Sequence, residues 1–302
     1  MFRFLQISAL ACVITIVACK LPCGNSPGAL KKYHDLDPHD SPTHFKVLNG
    51  EVPNAHIFPF TAHIRFKQQG MSFCTASIIG SRYILSAAHC YFGVLKMWVN
   101  SGKSLKEAEK LYLQNFDVGY GSVDSKRSIH DAIEEVFVTE DSDIEEYEDI
   151  LILKLKHKIK FNRNARPVCL SADIEPKVGK DLIITGFGNH STGPNSYVKM
   201  EKYVVDTIPI VKMSECRETK EHSFCAGGLE RGTMGGDSGG PMYAVHKSHF
   251  YQLGVVAKGA TDVVKINGEE YRDDRALYTK VGDFCDFIED VTEGDAVCRD
   301  LF

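Results

Sequence analysis

The sequence predicts an all-β protein, on three observations. From Val47 to about residue 282 the β-branched and aromatic residues come in short runs: His63 to Phe66, Ser77 to Ile79, Tyr83 to Leu85, Ile150 to Leu155, Leu182 to Thr185, Tyr203 to Ile208, Gln252 to Ala257 and Ala276 to Val281. Segments containing Gly, Pro and Asn separate them, the punctuation expected between strands. Helical spacing shows only twice, in Leu105, Ala108, Leu111 and Tyr112 within Ser104 to Leu113, and in Phe284, Phe287, Ile288 and Val291 near the C-terminus. These predict one short surface helix and a C-terminal helix. No repeat and no linker splits this region into unrelated domains.

The first residues carry an address. Arg3 precedes an apolar run from Phe4 to Cys19, broken only by Gln6, Ser8 and Thr15 and followed by Lys20. That is the pattern of a signal peptide, and it is shorter than the roughly 20 apolar residues that a membrane-spanning helix needs. Cleavage after Cys19, with Val17 and Cys19 at the small-residue positions, defines residues 1–19 as signal and predicts a secreted, extracellular protein. A bacterial lipoprotein signal ending at Cys19 is the alternative. Residues 20–46, rich in Pro, Gly, Asp, His and Lys, show no periodicity and are read as an irregular leader. The globular part is residues 47–302.

Cysteine usage agrees with export. Of ten cysteines, Cys12 and Cys19 leave with the signal, so an even set of eight remains, which suits disulfides in an oxidising compartment. Asn189-His190-Ser191 is a single glycosylation acceptor, meaningful only on the secretory route. The 302 residues with 43% hydrophobic composition can bury a sizeable core. The net charge of −5, with acids and bases mixed along the chain, gives no footprint for nucleic acid or an anionic membrane.

Three motifs carry chemistry. In Gly235-Gly236-Asp237-Ser238-Gly239-Gly240-Pro241, glycines flank a serine on a tight turn, which exposes its oxygen and lets backbone N–H groups converge on a developing oxyanion. Upstream, Ser86-Ala87-Ala88-His89-Cys90 places a histidine after a strand. Between the two lies Glu148-Asp149-Ile150-Leu151-Ile152-Leu153, an acid at the mouth of an apolar strand. The rest of the acidic run Glu140 to Asp149 reads as a solvated loop.

In the order His, Asp, Ser, these motifs resemble the chymotrypsin-like serine proteases. The resemblance extends over nearly all of Val47 to Val291 through Val47-Leu48-Asn49-Gly50, Phe58-Pro59-Phe60, Pro167-Val168-Cys169-Leu170, Thr185-Gly186-Phe187-Gly188, Phe224-Cys225-Ala226-Gly227 and Leu277-Tyr278-Thr279-Lys280-Val281. It implies two packed six-stranded antiparallel barrels, with His89 and Asp149 in the first and Ser238 in the second. It also implies the mechanism known for that family: Ser238 as nucleophile, His89 as base and then acid, Asp149 orienting the imidazole, Gly236 and Ser238 N–H groups as oxyanion hole, and an acyl-enzyme intermediate. A small-ester hydrolase of unrelated fold is disfavoured, because its triad runs Ser, Asp, His.

The same resemblance makes Lys46-Val47 an activation site, whose cleavage by another protease frees a Val47 ammonium to pair with Asp237; a basic residue in an irregular leader is also an accessible target. By family position Cys74 pairs with Cys90, Cys216 with Cys225, and Cys23 with Cys169, the last tethering the leader; Cys285 and Cys298 are paired by elimination. The substrate pocket is assigned to Gly232, Gly259 and Ala276. Gly232 stands where trypsins carry the floor aspartate, so the pocket is expected to prefer uncharged, apolar side chains over Arg and Lys. That expectation fails if Asp262, Asp273 or Asp274, in a stretch from Gly259 to Arg275 read as a charged loop, folds inward. Met234 replaces a bracing cysteine, and Ala257-Lys258-Gly259 replaces the usual Ser-Trp-Gly. These departures keep open a second reading, a weakly active or inactive homologue used as a binding or regulatory module. Protein or peptide substrates and a protease inhibitor are the expected partners, and no cofactor or metal is expected.

Overall fold

Six antiparallel strands close a first barrel: β1 (Thr61–Phe66), β2 (Met71–Ile78), β3 (Tyr83–Ser86), β4 (Phe116–Tyr120), β5 (Ile129–Phe137) and β6 (Leu151–Leu155). Their spatial order is β1-β2-β3-β6-β5-β4, and β4 pairs back to β1 with Ile64 opposite Val118. The computed structural model describes residues 22–33, 50–193, 196–199 and 201–301. The signal segment 1–19 and the Lys46-Val47 bond lie outside the described residues. Among the described residues no helix is long and apolar enough to cross a membrane.

A second barrel follows from β7 (Asp181–Gly186), β10 (Val204–Val211), β11 (Ser223–Leu229), β12 (Pro241–His246), β13 (His249–Ile266) and β14 (Glu269–Lys280), ordered β10-β11-β14-β13-β12-β7 and closed between β7 and β10. A small hairpin of β8 (Asn189–Gly193) and β9 (Ser196–Lys199) stands beside it. The stretch from Gly259 to Arg275 is not a loop. β13 and β14 run through it in continuous register to Ile266 opposite Glu269, turning at Asn267 and Gly268, both at positive φ (53° and 88°). Asn-Gly is the preferred pair for such a two-residue turn, because both positions tolerate that backbone at low cost. The charges of the segment had masked a strand-turn-strand signal.

Aromatic rings fill the seam between the barrels. Phe58, Phe60, Tyr243 and Phe250 are fully buried. Tyr243 lies edge-on to Phe60 at 4.9 Å and stacked on Phe58 at 5.8 Å. Each such side chain contributes about 2–3 kcal/mol through area removed from water. Polar links cross the same seam, from Thr61 Oγ1 to Thr185 Oγ1 at 2.9 Å and from Ser77 Oγ to Gln252 Oε1 at 2.6 Å.

Helices occupy the ends of the chain and one side of the first barrel. The surface helix α3 (Leu105–Asn115) begins in a capping box: Ser104 Oγ accepts from Glu107 N, and Glu107 Oε2 accepts from Ser104 N at 2.9 Å. Such a cap stabilises by about 1 kcal/mol. It buries Ala108 and Tyr112 against α2 (His89–Asn100), where Tyr91 meets Tyr112 edge-on at 4.8 Å. The twelve residues of α2 continue the histidine motif itself, an element the local pattern did not predict. α4 (Cys285–Val291) follows a single 3-10 turn at the C-terminal end.

The leader departs from its expected irregularity. Pro27–Tyr33 forms a short helix, α1, with Ala29 and Tyr33 buried. Ser26 Oγ donates to Ile57 O, Tyr33 packs on Phe58 at 5.7 Å, and Lys32 pairs with Glu51. Seven residues are too short to hold a helix alone; docking on the body supplies the stability.

Candidate active site

Helix α2 and the turn before β6 build the histidine end of the cleft. Asp149 is buried and lies just before β6, while His89 opens α2. Asp149 Oδ1 accepts the His89 backbone N–H at 2.8 Å, and Oδ2 accepts from the ring Nδ1 at 2.8 Å. The carboxylate therefore holds both the helix start and the imidazole, and leaves Nε2 as the outward nitrogen. Thr279 Oγ1 on β14 donates to Asp149 O at 2.8 Å, which ties this end to the second barrel.

Ser238 reaches the same place from the other barrel. Thr75 N donates to Ser238 O at 2.8 Å, and Cys74, next to Thr75, is disulfide-bonded to Cys90, next to His89. Gly239 presses on the histidine motif: a Cβ there would stand 2.0 Å from Ser86 Oγ and 3.0 Å from Ala87 N. No larger residue fits, which is why a glycine follows the serine. Among the described residues no direct hydrogen bond joins Ser238 Oγ to His89; such bonds are commonly long without substrate and tighten when it binds. The backbone N–H groups of Gly236 (φ 100°) and Ser238 are also taken by no protein acceptor among the described residues. The sulfurs of Cys74 and Cys90 lie close to His89, but they are bonded to each other and offer no thiolate to a metal.

Asp237 is turned away from the cleft and buried. Its oxygens accept from Gly188 N and Met234 N, each at 2.9 Å. Burial pushes its carboxyl up to about 6, against the opposing pull of those two N–H donors. Among the described residues no cation stands within ion-pair distance of it. Gly186 and Gly188 make room for the carboxylate, since a Cβ on either would lie within 2.5 Å of Oδ1. A small cavity of about 10 Å³ adjoins it, lined by Gly186, Gly188, Asn189 and Thr233.

Gly232, Gly259 and Ala276 do converge. A Cβ on Gly259 would lie 3.9 Å from the Ala276 Cβ and 3.7 Å from Thr233 Oγ1. The expectation that nothing local supplies a buried carboxylate is overturned. Asp274 is 1% exposed, and its Oδ2 would stand 1.8 Å from a Cβ on Gly232. Asp262 and Asp273 pair instead with Arg217 and Arg275. The missed signal was the strand itself: residues two apart share a face, so Asp274 follows Ala276 and Tyr278 once β14 is recognised. Lys258 turns outward to Glu218 at 2.7 Å.

On the other side of Gly236 lies a groove of about 550 Å³ lined mainly by Phe73, Met97, Trp98, Phe116 and Phe187. Trp98 and Met97 come from α2, so the unforeseen helix walls the groove. Asn189 lies at its edge, with its N–H bonded to Gly235 O at 2.9 Å. Behind the cleft, Cys23–Cys169 fixes the leader to the body, reinforced by Phe250 N donating to Gly24 O at 2.9 Å. Cys216–Cys225 and Cys285–Cys298 complete the four disulfides.

Residues 47–288 match the family model Trypsin. Phenoloxidase-activating factor 1 of Holotrichia diomphalia is 32% identical over 264 residues, covering 81% of this chain and 69% of that protein. Trypsin-1 of Astacus astacus is 31% identical, covering 67% and 84% respectively. Melanization protease 1 of Drosophila melanogaster is 27% identical, covering 72% and 59%. With two closed six-stranded barrels and a match over most of its length, the chain belongs to the trypsin family of chymotrypsin-like serine endopeptidases.

Proposed function

We propose that the chain is a secreted zymogen whose cleaved form hydrolyses protein substrates through His89, Asp149 and Ser238. The observation that carries this reading is the His89–Asp149 pair at 2.8 Å facing the Ser238 turn across the barrel seam. Ser238 Oγ attacks the carbonyl carbon while His89 Nε2 takes its proton. Gly236 and Ser238 N–H groups hold the oxyanion, each worth about 3 kcal/mol in the transition state. The leaving amine takes the proton back from His89, and water then releases the acyl group by the same route. The apolar groove beside Gly236 receives the residues after the scissile bond. Relatives named as an activating factor and a melanization protease favour a protein substrate over a small peptide.

Activation rests on Asp237. A buried carboxylate with two N–H donors and, among the described residues, no cation is a site prepared for an ammonium, and cleavage after Lys46 supplies one on Val47. The uncut chain then corresponds to the unpaired state, and the cut chain to the paired one. Residues 1–19 are the signal and residues 20–46 the leader, held after cleavage by Cys23–Cys169. A glycan on Asn189 would stand at the edge of the groove and narrow access to it.

A fluorophosphonate probe tests the reading. Protein cleaved after Lys46 should label stoichiometrically at Ser238, with little labelling of uncut chain and none of Ser238→Ala. Absence of labelling after complete cleavage would favour the alternative, a binding or regulatory homologue.

A further inference from the structure

Asp274 is the buried acid that the triad, the oxyanion hole and the proposed activation all leave unused. We propose that Asp274 is a specificity-determining residue, whose carboxylate forms the floor of the substrate pocket and selects Arg or Lys before the scissile bond. This rests on the cleft reading above, and it replaces the expectation of an apolar preference.

The geometry begins with the strand pairing. Thr261 on β13 stands opposite Asp274 on β14, two residues from the Gly259–Ala276 pair. Asp274 therefore lies on the face of β14 that carries Ala276 and Tyr278. Its Oδ2 accepts from Thr233 N at 2.5 Å and its Oδ1 from Thr261 Oγ1 at 2.9 Å. An ionised carboxylate offers about four acceptor sites, so two remain for an incoming donor. Gly232 and Asp274 are mutually dependent: a side chain at 232 would occupy the space of Oδ2. A floor that is empty at one position is filled from the neighbouring strand.

No cation among the described residues pairs directly with this carboxylate. Among the described residues none stands within ion-pair distance of Asp274; Arg272 acts on it at longer range, with Nη2 3.3 Å from the Thr261 hydroxyl. Burial raises the Asp274 carboxyl to about 6 despite its two donors. A carboxylate at this depth gains most from a cation brought by a ligand, because the surrounding medium screens the pair poorly. Gly232, Gly259 and Ala276 place no side chain larger than a methyl group beside this carboxylate.

The test has two arms. Cleaved wild-type protein is assayed on peptides differing only in Arg, Lys, Leu or Phe before the scissile bond, alongside Asp274→Asn and the transposed pair Gly232→Asp with Asp274→Ala. The wild type should prefer Arg or Lys. Asp274→Asn should lower the Arg-to-Leu ratio of kcat/KM by about a hundredfold, the scale of breaking a buried charge pair, and the transposed pair should restore most of it. A wild-type preference for Leu or Phe, or an unchanged ratio in Asp274→Asn, overturns the proposal. The second arm needs no catalysis: cleaved Ser238→Ala protein should bind benzamidine by calorimetry, and Ser238→Ala with Asp274→Asn should bind at least tenfold more weakly. Failure of fluorophosphonate labelling alone defeats the enzymatic reading; failure of benzamidine to distinguish the two proteins defeats the role of Asp274.

Discussion

The two barrels treat their buried acids differently. On the first-barrel side, Asp117 takes Arg65 in a two-pronged pair at 2.9 and 2.6 Å, Asp131 takes His157 at 2.9 Å, and Asp149 takes His89 at 2.8 Å. In the second, Asp206, Asp237 and Asp274 are equally buried and have no cation within ion-pair distance among the described residues. They rely on backbone N–H groups and, for Asp274, one threonine hydroxyl. Burial raises them to about 7, 6 and 6. A buried charge without a partner is costly, so the second barrel is less stable than its core alone would make it. The lesson is that charge compensation built into one half is deferred in the other. For Asp237 and Asp274 the proposed partners arrive from outside the barrel: a new N-terminus and a substrate side chain.

The largest effect should come from the cleft that joins the barrels. Ser238→Ala should lower kcat about a millionfold and Asp149→Asn about ten-thousandfold, by analogy with other triads, while circular dichroism shows both folded. A Ser238→Ala protein that still turns over peptide near the wild-type rate would remove the second barrel from the chemistry.

Next come the paired and unpaired acids themselves. Arg65→Met removes the two-pronged partner of the buried Asp117 and leaves it only His130, whose Nδ1 is 3.7 Å away, so it should cost the chain about 3 kcal/mol in denaturant unfolding. Asp206→Asn should act in the opposite direction at pH 8, stabilising by on the order of 2 kcal/mol, because it removes an unpaired charge. A loss at both sites would mean that the barrels do not differ as described.

The pH dependence sharpens the same contrast. A carboxyl raised in the folded state holds its proton between about pH 4 and 7 while the unfolded chain has already released it. Stability therefore falls as pH rises through that window. The advantage of Asp206→Asn over wild type should grow from pH 4 to pH 7 and then level off, as read from melting temperatures. A flat difference would show that Asp206 has found a partner. Least in magnitude, the leader should remain attached after cleavage on a non-reducing gel and separate with reductant, with Cys23→Ser releasing it in both lanes.

Much of this was legible in the residues. The strand runs, the C-terminal helix and the helix after Ser104 follow from periodicity, which is a local property. His89, Asp149 and Ser238 stood out only as a set, because each motif alone has a structural use and the three in the order His, Asp, Ser resemble the chymotrypsin-like serine proteases. Helix α2 was not legible, since Cys90, Tyr91, Phe92, Val94 and Leu95 bury a broad face that reads equally as strand. Helix α1 was hidden for the opposite reason: its seven residues begin on Ser26 and Pro27 but are too few to show a period, and contact with Ile57 and Phe58 orders them.

By itself the amino-acid sequence determined the all-β class, the order of the motifs and the residue types available for acyl transfer. These depend on neighbours within a few positions, where patterning and turn chemistry act. Only the tertiary structure decided which acids have cations among the described residues, because Asp117 and Arg65 are 52 residues apart and stand opposite each other on the paired strands β4 and β1. It also decided that Asp274 rather than Asp262 or Asp273 lies under Gly232. Three acids of similar local character are separated by strand register alone, and register is set by the pairing of β13 with β14.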